Sequence, residues 1–280
     1  MRLWKKTPII LVWMALAAAF APTLVPASGE DAGMDEGGSE EWTDWELIWS
    51  LVQATDAVNA NLSEIDRALL DASLALSETG IEGPEAREAL DELAGLGPWV
   101  VDCITVDLNG TIVEVMPEEY QHVSGTSIID QEHIERLLST RRPAGLAYIE
   151  SVEGFRALDF ASPIFDEEGR LIGAVTVLVN STEFLGTVLG PHQSEGSAKI
   201  WAMMPDGTII SDPEAEQIGK NTFTDPIFQP FPDLLAVAGR VEMERTGIGR
   251  YEISGTARDV FWTTADYQGS EIRILLSVDA

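Results

Sequence analysis

The 280-residue chain is 45% hydrophobic and carries a formal charge of −30, from 47 acidic and 17 basic residues, with one cysteine. A field of that sign repels nucleic acid and anionic membrane, and a lone cysteine excludes an intramolecular disulfide and any thiolate-rich metal site. The apolar fraction is enough for a substantial core, and the length suits two modest domains.

The first residues read as an export signal. Arg2, Lys5 and Lys6 precede an apolar run from Pro8 to Ala21, and Val25-Pro26-Ala27 supplies small residues at a cleavage position, which predicts a signal peptide over 1–27. Retention as an uncleaved anchor is the other reading, because the stretch from Pro8 to Pro26 approaches spanning length. Both readings place the rest of the chain outside the cytoplasm. Residues 28–43 are Gly-rich and acidic, a flexible tether that cannot bury enough apolar surface to fold.

From Asp44 the apolar residues Leu47, Leu51, Ala54, Val58, Leu62, Ile65, Leu69, Ala72 and Leu76 recur every three or four positions. That spacing predicts one amphipathic helix of about thirty residues, roughly 45 Å long, which outreaches a single small domain. Trp42, Trp45 and Trp49 open it and are read as its packed end, with an aromatic interface as the alternative. Gly80 to Gly83 interrupts the helix, Pro84-Glu85 restarts it, and Gly95 and Gly97 end it, so residues 44–98 form a long and a second helix.

Two similar modules are expected next, over 99–190 and 191–280. The first reads as strand Val100 to Val106, an Asn109-Gly110 turn, strand Ile112 to Val115, a helix from Asp130 to Ser139, then strands Leu146 to Glu150, Phe155 to Ile164 and Arg170 to Val179. The second repeats that order. Strands Lys199 to Met204 and Thr208 to Ser211 flank Asp206-Gly207, a short helix spans Asp233 to Ala238, and three strands run from Gly249, Val260 and Ile272. Asn180 to Gly196 reads as a turn-rich junction, and the two α+β modules are expected to fold separately around the shared helix.

The paired phrases Asn109-Gly110…Gly125 and Asp206-Gly207…Gly219, the long helix, and the hairpin from Ser162-Pro163-Ile164-Phe165-Asp166 to Gly169-Arg170-Leu171-Ile172-Gly173 make the chain resemble extracellular double Cache sensor domains of prokaryotic chemoreceptors and sensor kinases. The resemblance covers nearly all of Asp44 to Ala280. It implies a PAS-like five-stranded antiparallel sheet in each module and a small-molecule pocket in the membrane-distal one. Members continue into a transmembrane helix and an output domain where this sequence stops at Val278-Asp279-Ala280, so a membrane receptor or kinase partner is expected to carry the signal. The amino-acid-binding subset has Tyr, Arg and Trp-Tyr before the third strand. The stretch from His133 to Ala147 has Arg136, Arg141 and Arg142 but no Trp-Tyr, so an amino-acid ligand is not supported.

No catalytic or metal constellation emerges. His122, His133 and His192 lack metal-ligand spacing, and Ser124-Gly125-Thr126-Ser127 lacks the frame of a nucleophile elbow. A non-enzymatic, cofactor-free binding module is therefore expected, with a structural or adhesive surface protein as the alternative and a homodimer through the long helix among its assemblies. Tyr120 and Tyr148 offer hydroxyls to a ligand. Arg156 and Asp159 have an odd separation on one strand, so they face opposite ways. Arg156 is preferred as the clamp for an anionic ligand, with Asp159 as the control. Trp201, Phe223, Phe228, Phe231 and Trp262 are read as core of the second module.

Overall fold

Helix α1 (Asp44–Thr79) buries all nine positions of the apolar stripe, and at 36 residues it extends for about 54 Å. The computed structural model describes residues 44–152, 154–193 and 196–280; the expected signal over 1–27, the tether over 28–43 and Trp42 lie outside these residues. Trp45 and Trp49 are 70% and 53% exposed, which corrects the expectation of a packed helix end and keeps the aromatic-interface reading of that end. No helix among the described residues is long and apolar enough to cross a membrane.

After α1, α2 (Pro84–Ala94) is tied down by Glu114, whose carboxylate accepts from the Gly83 amide at 3.0 Å and Arg87 Nε at 2.8 Å. The first antiparallel sheet contains β1 (Val100–Val106), β2 (Ile112–Met116), β3 (Leu146–Glu150), β4 (Arg156–Phe165) and β5 (Leu171–Val179), in the order β2-β1-β5-β4-β3. Helix α3 (Glu132–Thr140) lies between β2 and β3 in the chain. The second sheet repeats the plan with β6 (Lys199–Met203), β7 (Ile209–Ser211), β8 (Gly247–Ile253), β9 (Thr256–Tyr267) and β10 (Ser270–Asp279), in the order β7-β6-β10-β9-β8. The fold is thus the expected long helix followed by two five-stranded antiparallel sheets.

The repeated sequence phrase has a structural counterpart. Gly110 and Gly207 have φ of 77° and 91°, and an added Cβ would fall 2.6 Å from Ile129 and 2.6 Å from Phe223 respectively. Both the left-handed backbone and the close approach require glycine. Thr111 and Thr208, each just before its strand, then make matching isolated antiparallel bridges to Ser127 and Asn221.

One hydrophobic cluster joins α1 to the inner face of both sheets, through Cys103, Leu158, Phe160 and Val177 in the first and Ala202, Phe261, Ala265 and Ile274 in the second. Cys103 is fully buried, and burial pushes its thiol well above the usual range, as an inert structural cysteine requires. The other face of the first sheet is covered by α3, and that of the second by α5 (Pro232–Met243).

Two elements depart from expectation. The supposed turn-rich junction contains α4 (Ser181–Leu189), whose N-cap Asn180 accepts from the amides of Thr182 and Glu183. Its signal was present as Asn180 followed three residues later by Glu183, then apolar Phe184, Leu185, Val188 and Leu189. Helix α5 continues past Gly239 to Met243, because burial of Val241 outweighs the roughly 1 kcal/mol helix penalty of one glycine.

Candidate functional site

Strand β4 sorts its side chains by volume. Leu158, Phe160 and Ile164 face α1, whereas the small Ala157 and Ala161 flank Asp159 on the opposite face, beneath α3. Asp159 is 3% exposed, and its Oδ2 accepts from His133 Nε2 of α3 at 2.7 Å. The two side chains close most of the space between sheet and helix. A cavity of about 20 Å³ remains, lined by Asp102, Gln131, Ser151, Asp159 and Thr176 together with apolar Ile104, Ile128 and Leu178.

Three buried polar atoms in that lining have no hydrogen-bond partner: Asp159 Oδ1, Gln131 Oε1 and Ser151 Oγ. Each such atom costs about 1 to 3 kcal/mol unless something satisfies it. The volume suits one guest the size of a water molecule or an ammonium group, which would need two to four polar partners. Two carboxylates border the cavity and no arginine or lysine does.

The four residues singled out in the sequence are not brought together. Asp159 is in the cavity. Arg156 lies on the opposite face, exposed, with its guanidinium 5.9 Å from the centre of the Tyr148 ring. Tyr148 is half-buried against the α1-facing cluster; burial raises its pKa, opposed by the nearby Arg156 charge and a hydrogen bond with Ser181. Tyr120 packs on the apolar cluster beneath α3 without lining the cavity. Arg156 and Asp159 thus lie on the two faces that their odd separation predicts, and the cavity lies on the Asp159 face, bordered by acidic rather than basic side chains. Asp102, Gln131, Ser151 and Thr176 were missed, although Asp102 and Thr176 are polar residues inside otherwise apolar strands, which is a readable sign of a buried polar site.

The second module has a cavity of about 100 Å³ on the corresponding face of its sheet. Trp201, Phe228, Leu234, Val237 and Leu275 give it an apolar body, so Trp201 and Phe228 serve as cavity wall as well as core. Strand registers place Lys199 beside Ser277, and Arg258 beside Tyr251, at the end of the sheet where β10 finishes, and Asp212 closes that end. Burial pushes the Asp212 carboxyl up to about 6, although the Glu214 amide donates to it at 2.7 Å.

Because the folded state holds Asp212 above its ordinary value, its contribution favours folding at low pH and is lost as pH rises through about 6. Asp212→Asn keeps an oxygen for the Glu214 amide and removes the charge. It should stabilise the protein by about 1 to 2 kcal/mol near pH 7.5, allowing for partial solvent screening, and by nothing near pH 4. Urea denaturation of both proteins at the two pH values measures the difference; an equal effect at both would show that the charge is not its source.

The comparisons with known proteins agree with this architecture. Residues 60–181 match the family described as HK/GC/Chemotaxis protein-like, sensor domain. An extracellular ligand binding receptor from Desulfohalobium retbaense is similar in fold, with a TM-score of 0.74 and 32% identity over 84% of this chain; this chain spans 41% of that one. The ligand-binding domain of the Pseudomonas aeruginosa PAO1 amino acid chemoreceptor PctB, in complex with L-Arg, has a TM-score of 0.59 at 17% identity, covering 83% of this chain and 93% of that one. The periplasmic sensory domain of a Campylobacter jejuni chemoreceptor gives 0.60 at 15% identity, over 83% and 93%. No curated protein sequence matches significantly. Fold and family model agree with the resemblance drawn from the sequence: residues 60–181 match a sensor-domain family model, and the described residues share the fold of ligand-binding domains carried by chemoreceptors and a histidine kinase.

Proposed function

We propose that this chain is an extracytoplasmic sensory domain whose first module binds a small amine and passes the signal to a membrane receptor or kinase. The observation that carries the reading is the acidic cavity beneath α3, where Asp159 Oδ1, Gln131 Oε1 and Ser151 Oγ point unpaired into space the size of an ammonium group. An ammonium donates to three acceptors at once and carries the charge that two buried carboxylates call for. The body of the ligand needs more room than the cavity holds, and the turn bearing Ser151 and the exposed Val152 is the element that must move outward. Placement outside the cytoplasm is supported by the basic and apolar N-terminal pattern and by relatives described as extracellular or periplasmic.

A thermal-shift panel of primary amines against matched carboxylates tests this. A ligand at a hundredfold excess over its dissociation constant stabilises by about 2.7 kcal/mol, which at this size raises the melting temperature by roughly 5 to 10 °C. Asp159→Asn, which retains an acceptor for His133, should remove the shift, and Arg156→Ala should leave it intact. Shifts produced by carboxylates alone and abolished by Arg156→Ala would sink the proposal.

A further inference from the structure

We propose that the second module has a ligand site of its own, the cavity between α5 and the sheet, which takes a small carboxylate with a short branched apolar tail. This site goes beyond the amine reading of the first module and is independent of it. The two modules share one plan, yet the corresponding spaces differ fivefold in volume, about 20 against about 100 Å³. An engineered apolar cavity of about 150 Å³ holds benzene, so this one suits a tail of about four carbons. Its walls are Trp201, Phe228, Leu234, Val237 and Leu275.

The head group follows from the donors at the other end. Arg258, Lys199, Tyr251 and Ser277 all line that end of the cavity. Tyr251 and Ser277 are 6% and 5% exposed, and the Tyr251 hydroxyl hydrogen-bonds with both Arg258 and Ser277. A guanidinium, an ammonium and two hydroxyls form a donor-rich wall of the kind that grips a carboxylate. Arg258 also donates through Nε to Asp279 at 3.2 Å, which fixes the side chain at the rim. The charged and titratable groups around Asp212 are Glu214 on its own segment, Lys199 of β6, Tyr251 of β8 and Arg258 of β9. Burial holds the Asp212 carboxyl up at about 6. When protonated it ceases to repel a bound anion and offers a fifth donor, so carboxylate affinity rises as pH falls; an amine held by Asp212 would show the opposite sign.

The full chain is titrated with isovalerate, isoamylamine and isoamyl alcohol, which share a carbon skeleton and differ in head group, at about pH 7.5 and about pH 5.5. Isovalerate should raise the melting temperature and bind severalfold tighter at the lower pH. Arg258→Gln should weaken it about tenfold or more, the usual consequence of losing a charge-assisted hydrogen bond. Ala238→Leu fills the cavity from α5 and should abolish binding, while Arg156→Ala, which lines neither cavity, should leave isovalerate binding as it is. If Ala238→Leu does not fold, intermolecular nuclear Overhauser effects from the isovalerate methyls to Trp201 and Val237 in the unmodified protein decide the location. No shift with isovalerate, equal shifts with all three compounds, tighter amine binding, contacts elsewhere, or binding that survives Ala238→Leu would each overturn the proposal.

Discussion

Ile65→Ala is expected to lower the stability of the whole described fold by about 3 to 4 kcal/mol, and with it the melting temperature by roughly 10 °C. Ile65 is fully buried at the middle of α1, within the cluster that reaches Leu158 and Phe160 of one sheet and Phe261 and Ala265 of the other. The sheets also touch directly. Phe160 meets Tyr267 edge to face with ring centres 4.9 Å apart, and Ser270 Oγ accepts from the Leu146 amide at 3.2 Å and donates to its carbonyl at 3.1 Å. A cavity cut at Ile65 therefore removes packing that both modules share. Fluorine-labelled tryptophan separates them: Trp99 reports on the first module, where it packs on Phe184 at 4.9 Å, and Trp262 on the second. Both signals should melt together, before and after the substitution. Two separate transitions, only one of them lowered, would restore the expectation that the modules fold separately around the helix.

What the sequence disclosed follows from how locally each feature is determined. The stripe from Leu47 to Leu76 was readable because a 3.6-residue period fixes a buried face without knowledge of the partner. The hairpins were readable because Asn109-Gly110 and Asp206-Gly207 need the positive φ that Gly110 and Gly207 adopt. On β4, parity separated Arg156 from Asp159 but could not name the face that covers the cavity. Volume could have done so, since the large Leu158 and Phe160 alternate with Ala157 and Ala161, and space for a guest belongs beside the small residues. Helix α4 was hidden by reading Asn180 to Gly196 as a turn-rich junction, which passed over Asn180 as a cap. The orphaned Gln131, Ser151 and Asp159 atoms and the cavity under α5 are tertiary facts: they depend on how α3 and α5 lie across their sheets, which no local pattern encodes.

How α5 is held leads to the other large effect. Arg273 of β10 is 2% exposed, and it reaches the end of α5 by donating from Nε to the Val241 carbonyl at 2.8 Å and from Nη2 to the Glu242 carbonyl at 3.2 Å. Its Nη1 donates to Thr264 Oγ1 at 3.0 Å and Glu271 Oε2 at 2.6 Å. Burial lowers its pKa, yet a guanidinium stays charged in proteins, so these four bonds anchor a cation beneath carbonyls that the helix itself leaves unpaired. Arg273→Met fills similar volume but strands the Val241 and Glu242 carbonyls and one Glu271 oxygen. The loss should be about 3 kcal/mol, or roughly 6 to 12 °C. Arg273→Lys should fall between, because an ammonium cannot reproduce the planar fork. The damage should be local before it is global: amides over 232–243 should exchange faster while those of α3 keep their protection. Leu234, Val237, Ala238 and Val241 of the same helix line the cavity beneath α5, so a loosened α5 also weakens whatever binds there. Unchanged exchange in α5 with a lowered melting temperature would mean that Arg273 stabilises the sheet alone, and that the roof of the cavity is held by its apolar contacts.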